Sequence, residues 1–223
     1  MKNLLLIACI ILGISGTWAN EKEKSEKESN DFEYHLGVAI DSLCHVHTLQ
    51  GGVATCNFLK RIEDRFPNEW LTTYYIGYLN MKLSLFADSS MKKGMLDEAQ
   101  KYLAKLLAYR QVDRSELSAL NAYYYYVLIA SKPEVNGPKY YRKVIEECNK
   151  AIRYNKQNPR AHLILSMFQN KMNAFQGGKQ EDYCHTLERV ESLFQNAKTK
   201  KYYPSWGMDD LKREKTQNCT AKK

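Results

Sequence analysis

Cys44-His45-Val46-His47 puts a thiol and two imidazoles within one short stretch, and these are the side chains that bind zinc. Neighbouring positions on a helix point in different directions, so all of them cannot face one ion. Only His45 with His47 on a displaced backbone, or one of them with the distant Cys184-His185, would work. A closed zinc site needs four ligands at compatible spacing, so solvent-facing histidines are expected and no metal site is predicted. Gly177-Gly178-Lys179 has the ending of a phosphate loop, but that loop needs an earlier glycine and a Ser or Thr after the lysine. Asn173 and Gln180 stand in those places, so a plain interhelical turn is expected. His162 and Ser166 lie one helical turn apart, as a base and its nucleophile would, yet no acidic residue is spaced to orient the histidine. The prediction is therefore a protein with no catalytic residue and no cofactor, not an enzyme.

The elements that carry these residues are all helical. Phe32, Leu36, Ala39, Ile40 and Leu43 recur at three- and four-residue spacing, which predicts a helix over 31–47. Gly51-Gly52 is read as its break, and a second helix follows from Val53 to Phe66, ended by Pro67. Asn68 is placed to cap a helix from Glu69 to about Ala87, in which Gly77 costs about 1 kcal/mol against alanine and so implies a close neighbour. Asp88 to Gly94 reads as a turn, then Leu96, Ala99, Leu103 and Leu106 form an apolar stripe. Asp113 or Ser115 caps the next helix, whose run Tyr123 to Tyr126 puts aromatics all round its axis. Pro133 to Pro138 reads as a loop, and Tyr141, Val144, Cys148 and Ile152 as the buried stripe of a partner helix. Asn158-Pro159 then restarts the chain, with asparagine a good N-cap and proline suited to the first helical position. Ala161, Leu165, Phe168 and Met172 repeat the stripe. After the loop at Phe175–Lys179, Tyr183, Leu187, Val190 and Phe194 mark its partner. Trp206 is expected to plug the end of the stack, ahead of a short helix from Met208 to about Asn218. No segment reads as a strand pair. Helix pairs start at Glu69, Ser115 and Pro159, about 45 positions apart, longer than the tetratricopeptide unit.

Residues 1–19 have the layout of a secretory signal: Lys2, an apolar run over Leu4–Ile14, and the small-residue site at Thr17-Trp18-Ala19. The apolar run is too short for a membrane anchor, so an exported chain, periplasmic or secreted, with no transmembrane segment in its mature form is expected. Residues 20–30 alternate Glu and Lys without an apolar residue and read as a charged disordered linker. The formal charge is +8, but the lysines are dispersed, which argues against a nucleic-acid partner. One of the 6 cysteines falls in the leader. Of the others, Cys44 and Cys56 sit in consecutive helices and could meet in a disulfide across that hairpin, whereas Cys148 reads as a free buried thiol.

Lys150-Ala151-Ile152-Arg153-Tyr154-Asn155 followed by Asn158-Pro159-Arg160-Ala161-His162 looks like the junction between two tetratricopeptide repeats. Taken with Trp70-Leu71, Tyr74-Tyr75, Gly177-Gly178-Lys179 and Pro204-Ser205-Trp206-Gly207, the chain resembles a group of exported tetratricopeptide-like proteins of Bacteroidetes-type bacteria. A family proline is replaced here by Lys156. The resemblance implies an all-α, tetratricopeptide-like solenoid, a right-handed superhelix of helix pairs over 68–203. An N-terminal helical hairpin over 31–67 precedes it, and a C-terminal capping helix and tail over 204–223 follow. It also implies a packing role for His162 and a concave groove lined by Tyr74, Tyr78, Lys82, Tyr123, Tyr126, Arg160, Met167, Asn170 and Lys171. Rings with a polar tip and scattered cations suit peptides or sugars. The same rings also suit packing between helices, the reading preferred for Tyr74. The expected function is a non-catalytic exported scaffold or adaptor holding a protein or peptide segment. The alternative is a small-ligand or glycan-binding component of an envelope uptake system.

Overall fold

The computed structural model describes residues 5–175, 177, 182–198 and 200–219. Within them the chain forms helices and no strand, in the order α1 (Leu5–Cys44), α2 (Leu49–Arg65), α3 (Trp70–Ser84), α4 (Ser89–Leu106), α5 (Arg114–Ser131), α6 (Pro133–Tyr154), α7 (Pro159–Phe175), α8 (Tyr183–Asn196) and α9 (Met208–Asn218). Short turns make consecutive helices neighbours. Each packs on the next, and α5 also packs on α3 and α7, so that these three form one layer. No described helix is long and apolar enough to cross a membrane.

Polar caps fix where the helices start. Asp88 Oδ1 accepts the Ser90 and Met91 amides at the start of α4, and Asp113 Oδ1 those of Ser115 and Glu116 at the start of α5. Asn158 is fully buried and does more. Its Oδ1 accepts the Arg160 and Ala161 amides, while its Nδ2 donates to Ser115 Oγ and Glu116 Oε1. Ser115 Oγ donates in turn to the Ala151 carbonyl, so one network joins the start of α5, the end of α6 and the start of α7. Arg160 closes it with two bonds to Glu116, of 2.7 and 2.6 Å.

Several boundaries differ from the sequence reading. Gly51-Gly52 does not break the chain but lies in the first turn of α2, capped by Thr48, and residue 52 is glycine because Leu83 of α3 occupies the space that a Cβ there would need. Asp88 starts α4 at once, so residues 89–94 are helical rather than a turn. Pro133 takes the first position of α6, where the missing N–H costs nothing, and Pro138 is carried inside that helix. The charged stretch 20–30 continues α1 instead of being disordered, since Glu and Lys are good helix formers and nothing in it interrupts the ladder. Among the described side chains of α1, Phe32, Leu36 and Ala39 are buried. A Cβ at Gly77 would meet Tyr102 Cβ at 3.5 Å, ordinary contact rather than the tight approach expected there.

The cysteines pair otherwise than expected. Cys184 and Cys219 form the disulfide, joining the start of α8 to the end of α9, while Cys44 and Cys56 are both free. The Cys56 thiol faces the other way, accepting a bond from Asn80 Nδ2 of α3 at 3.3 Å. Cys148 is buried and free as read, and burial, with Glu147 beside it, pushes its thiol up to about 12.

Candidate functional site

The layer formed by α3, α5 and α7 brings most of the predicted groove residues together, and the chain's own C-terminal segment lies on them. Trp206 is not at the end of the stack. Its ring stacks on Tyr78 at 4.9 Å and tilts against Tyr123 at 5.2 Å, and its Nε1 donates to Tyr74 Oη at 2.9 Å. The Arg160 guanidinium stands 5.9 Å over the indole. Lys82 donates to Asp210 at 3.2 Å, and Tyr183 donates to Glu214 at 2.7 Å, so α9 is pinned by charge as well as by Leu211, which is fully buried. Gly207 makes the turn possible: its φ is +109° and Phe194 fills the space beside it. Tyr74, Tyr78, Tyr123 and Arg160 therefore pack against this segment. Met167 is buried in the core, and Asn170 is buried as well. Burial pushes the Tyr74, Tyr78 and Tyr123 phenols upward.

Lys171 is exposed, whereas Tyr126 is largely buried. They line a groove of roughly 760 Å³ between the second half of α5, the first turns of α6 and the end of α7. Ile129 and Phe168 line the groove with Tyr126, whose ring meets Phe168 edge-on at 6.5 Å and Tyr123 face-on at 6.5 Å. Tyr141, Met172 and Phe175 also line it, and Phe175 is 93% exposed. Lys171 Nζ lies 5.2 Å from the Tyr126 ring and makes no ion pair with a carboxylate among the described residues. Burial pushes the Tyr126 phenol up, with Lys171 opposing, so its proton stays on at neutral pH.

A second cavity, of roughly 550 Å³, opens between the α1–α2 turn, α3 and the segment leading into α9. Leu43, Leu79, Leu83 and Trp206 line it, with Cys44, His47 and Asp209 among its polar groups. Lys82, a predicted groove residue, lines this cavity instead.

The remaining sequence candidates do not assemble. Ser166 Oγ donates to the His162 carbonyl of its own helix, and the His162 ring contacts the Lys156 carbonyl, so no nucleophile and base pair forms. His45 Nδ1 bonds the Asp41 carbonyl. Gly178-Lys179 lies outside the described residues. No group of three or more His, Cys, Asp or Glu side chains converges as a metal site among the described residues. The sequence reading did not assign Ile129, Phe168, Tyr141, Met172 and Phe175 to a site. Their signal was the apolar spacing 168, 172, 175, which runs to the last turn of α7.

No protein-family model matches the chain, and no curated relative matches it. Among solved structures, the HusA haemophore from Porphyromonas gingivalis is similar in fold, with a TM-score of 0.69 at 18% sequence identity, covering 87% of this chain and 96% of that one. The all-helical architecture is thus shared with a protein of a Bacteroidetes bacterium.

Proposed function

We infer that this is an exported, non-catalytic binder of a small, flat, largely apolar molecule with an acidic edge, of the porphyrin type, held in the groove of α5, α6 and α7. The observation that carries the reading is that groove, with its mainly apolar walls and with Lys171 and Glu134 as its charged lining groups. Its volume falls within the range of about 300–1,000 Å³ common to small-molecule sites. Aromatic and aliphatic faces on both sides suit a planar ring, and Lys171 suits a carboxylate at its edge. The fold shared with a haemophore supports the same ligand class. The lining holds no imidazole or thiol, so the reading rests on the ring faces and the acid edge. The stacked helix pairs read as a tetratricopeptide-like superhelix. A scaffold for protein segments is the weaker reading, because α9 and Trp206 already fill the face that such a segment would occupy.

Metal-free protoporphyrin titrated into the mature protein tests this by absorbance. Saturable binding is expected, with Lys171→Glu weakening it about tenfold, near 1.4 kcal/mol, and Met172→Glu weakening it further. Binding that is absent, or unchanged in both variants while their helical content is intact, would overturn the groove assignment.

A further inference from the structure

The cavity beside the α1–α2 turn has donors that the groove lacks. The Cys44 thiol and the His47 imidazole line this cavity together with Leu43, Leu79, Leu83 and the Trp206 ring. His47 is exposed and its ring makes no hydrogen bond or ion pair among the described residues, unlike His45. A bare ion would need more donors than converge here. A metal that arrives with its equatorial positions already filled by a flat organic ring needs only one or two from the protein.

We propose that this cavity is a second binding site, separate from the groove of α5, α6 and α7, for a flat apolar metal complex whose open axial position is taken by the His47 imidazole. Imidazole is a common ligand of iron, copper, nickel and zinc. Burial, with Asp41 and Asp209 nearby, pushes the Cys44 thiol upward, which makes it the poorer donor at neutral pH. The apolar residues cover the ring faces, and the Trp206 indole, its own faces taken by Tyr78 and Arg160, lines the cavity close by. Asp209 and Asp210 lie at the α9 side, and among the described residues only Asp210 is ion-paired, with Lys82 and Arg213. Any acidic edge of the complex must therefore point away from α9 into solvent. The site does not depend on the groove: one recognises a metal's open coordination position, the other a ring and its carboxylate.

Ferric protoporphyrin added to tag-free mature protein tests this, followed by absorbance, electron paramagnetic resonance and tryptophan fluorescence. A ferric spectrum typical of imidazole ligation is expected, together with quenching of Trp206. His47→Ala should abolish that spectrum and weaken the ferric complex at this site at least tenfold, and free imidazole should restore the spectrum. His45→Ala and Lys171→Glu should leave it in place. An imidazole spectrum that persists in His47→Ala, or one never seen in the wild type, overturns the proposal. Because the groove is tested with the metal-free ring and Lys171→Glu, its failure is read separately.

Discussion

At the scale of single residues, the Glu116–Arg160 pair shows how much the helix junction depends on matched burial. Both side chains are more than nine-tenths buried, and Glu116 also accepts from Asn158. Removing one partner of a buried pair typically costs about 3–5 kcal/mol, because the other is left charged and alone. Glu116→Ala should therefore lower the stability of the folded chain by about that much in urea unfolding. Replacing both residues by apolar ones of similar volume should recover a large part of the loss. The exposed Lys93–Asp97 pair, by contrast, should contribute well under about 1 kcal/mol. Gly77 gives a prediction of opposite sign. A Cβ there meets its nearest neighbour at 3.5 Å, so Gly77→Ala should stabilise the protein by about 0.5–1 kcal/mol through its backbone entropy, raising the urea midpoint without changing the slope.

At the scale of elements, the disulfide holds α9 in place from its far end. Cys184 and Cys219 are 35 residues apart, and closing a loop of that length in the unfolded chain corresponds to about 3–4 kcal/mol. Cys184→Ser with Cys219→Ser should lower the denaturant midpoint accordingly. The Trp206 environment, read by near-ultraviolet circular dichroism, should persist, because Gly207, Leu211 and the Asp210 pairs hold it independently. This part of the molecule was the least legible in the sequence. Apolar periodicity finds each stripe that faces a helix partner, and Asp88, Asp113, Asn158 and Pro159 announce their helix starts by cap chemistry. The turn between α8 and α9 has no such period. Its course depends on positive φ at Tyr202 and Gly207, and only that course brings Cys219 to Cys184 and Trp206 to Tyr78. The groove was half legible for a related reason: Tyr126 and Lys171 lie on a helix face that repeat logic points inward. Its walls come from a helix end read as a loop and from a Pro133 start read as irregular chain.

Across the whole molecule, the aromatic layer between α3, α5 and α9 makes stability sensitive to alkali. Burial pushes the Tyr74, Tyr78 and Tyr123 phenols well up and raises Cys148 to about 12. In the unfolded chain a cysteine titrates near about 8.5 and a tyrosine near about 10. Each of these groups has a folded value above its unfolded one. Its contribution is therefore complete below the unfolded value and is lost as pH rises toward the folded one. Above pH about 8.5 the unfolded chain releases protons that the folded chain keeps, at about 1.4 kcal/mol per pH unit for each group. Urea midpoints should be flat in this respect between pH 6 and about 8, fall once the thiols begin to titrate, and fall more steeply above about 10 when the tyrosines join. Cys148→Ala should remove much of the first decline, leaving a smaller part from the less buried Cys56, and should leave the second intact. A midpoint that held level to pH 11 in the wild type would mean that these phenols are not sealed under Trp206. The face formed by α3, α5 and α7 would then be open to a partner after all, and the ligand assignment would have to be made again from there.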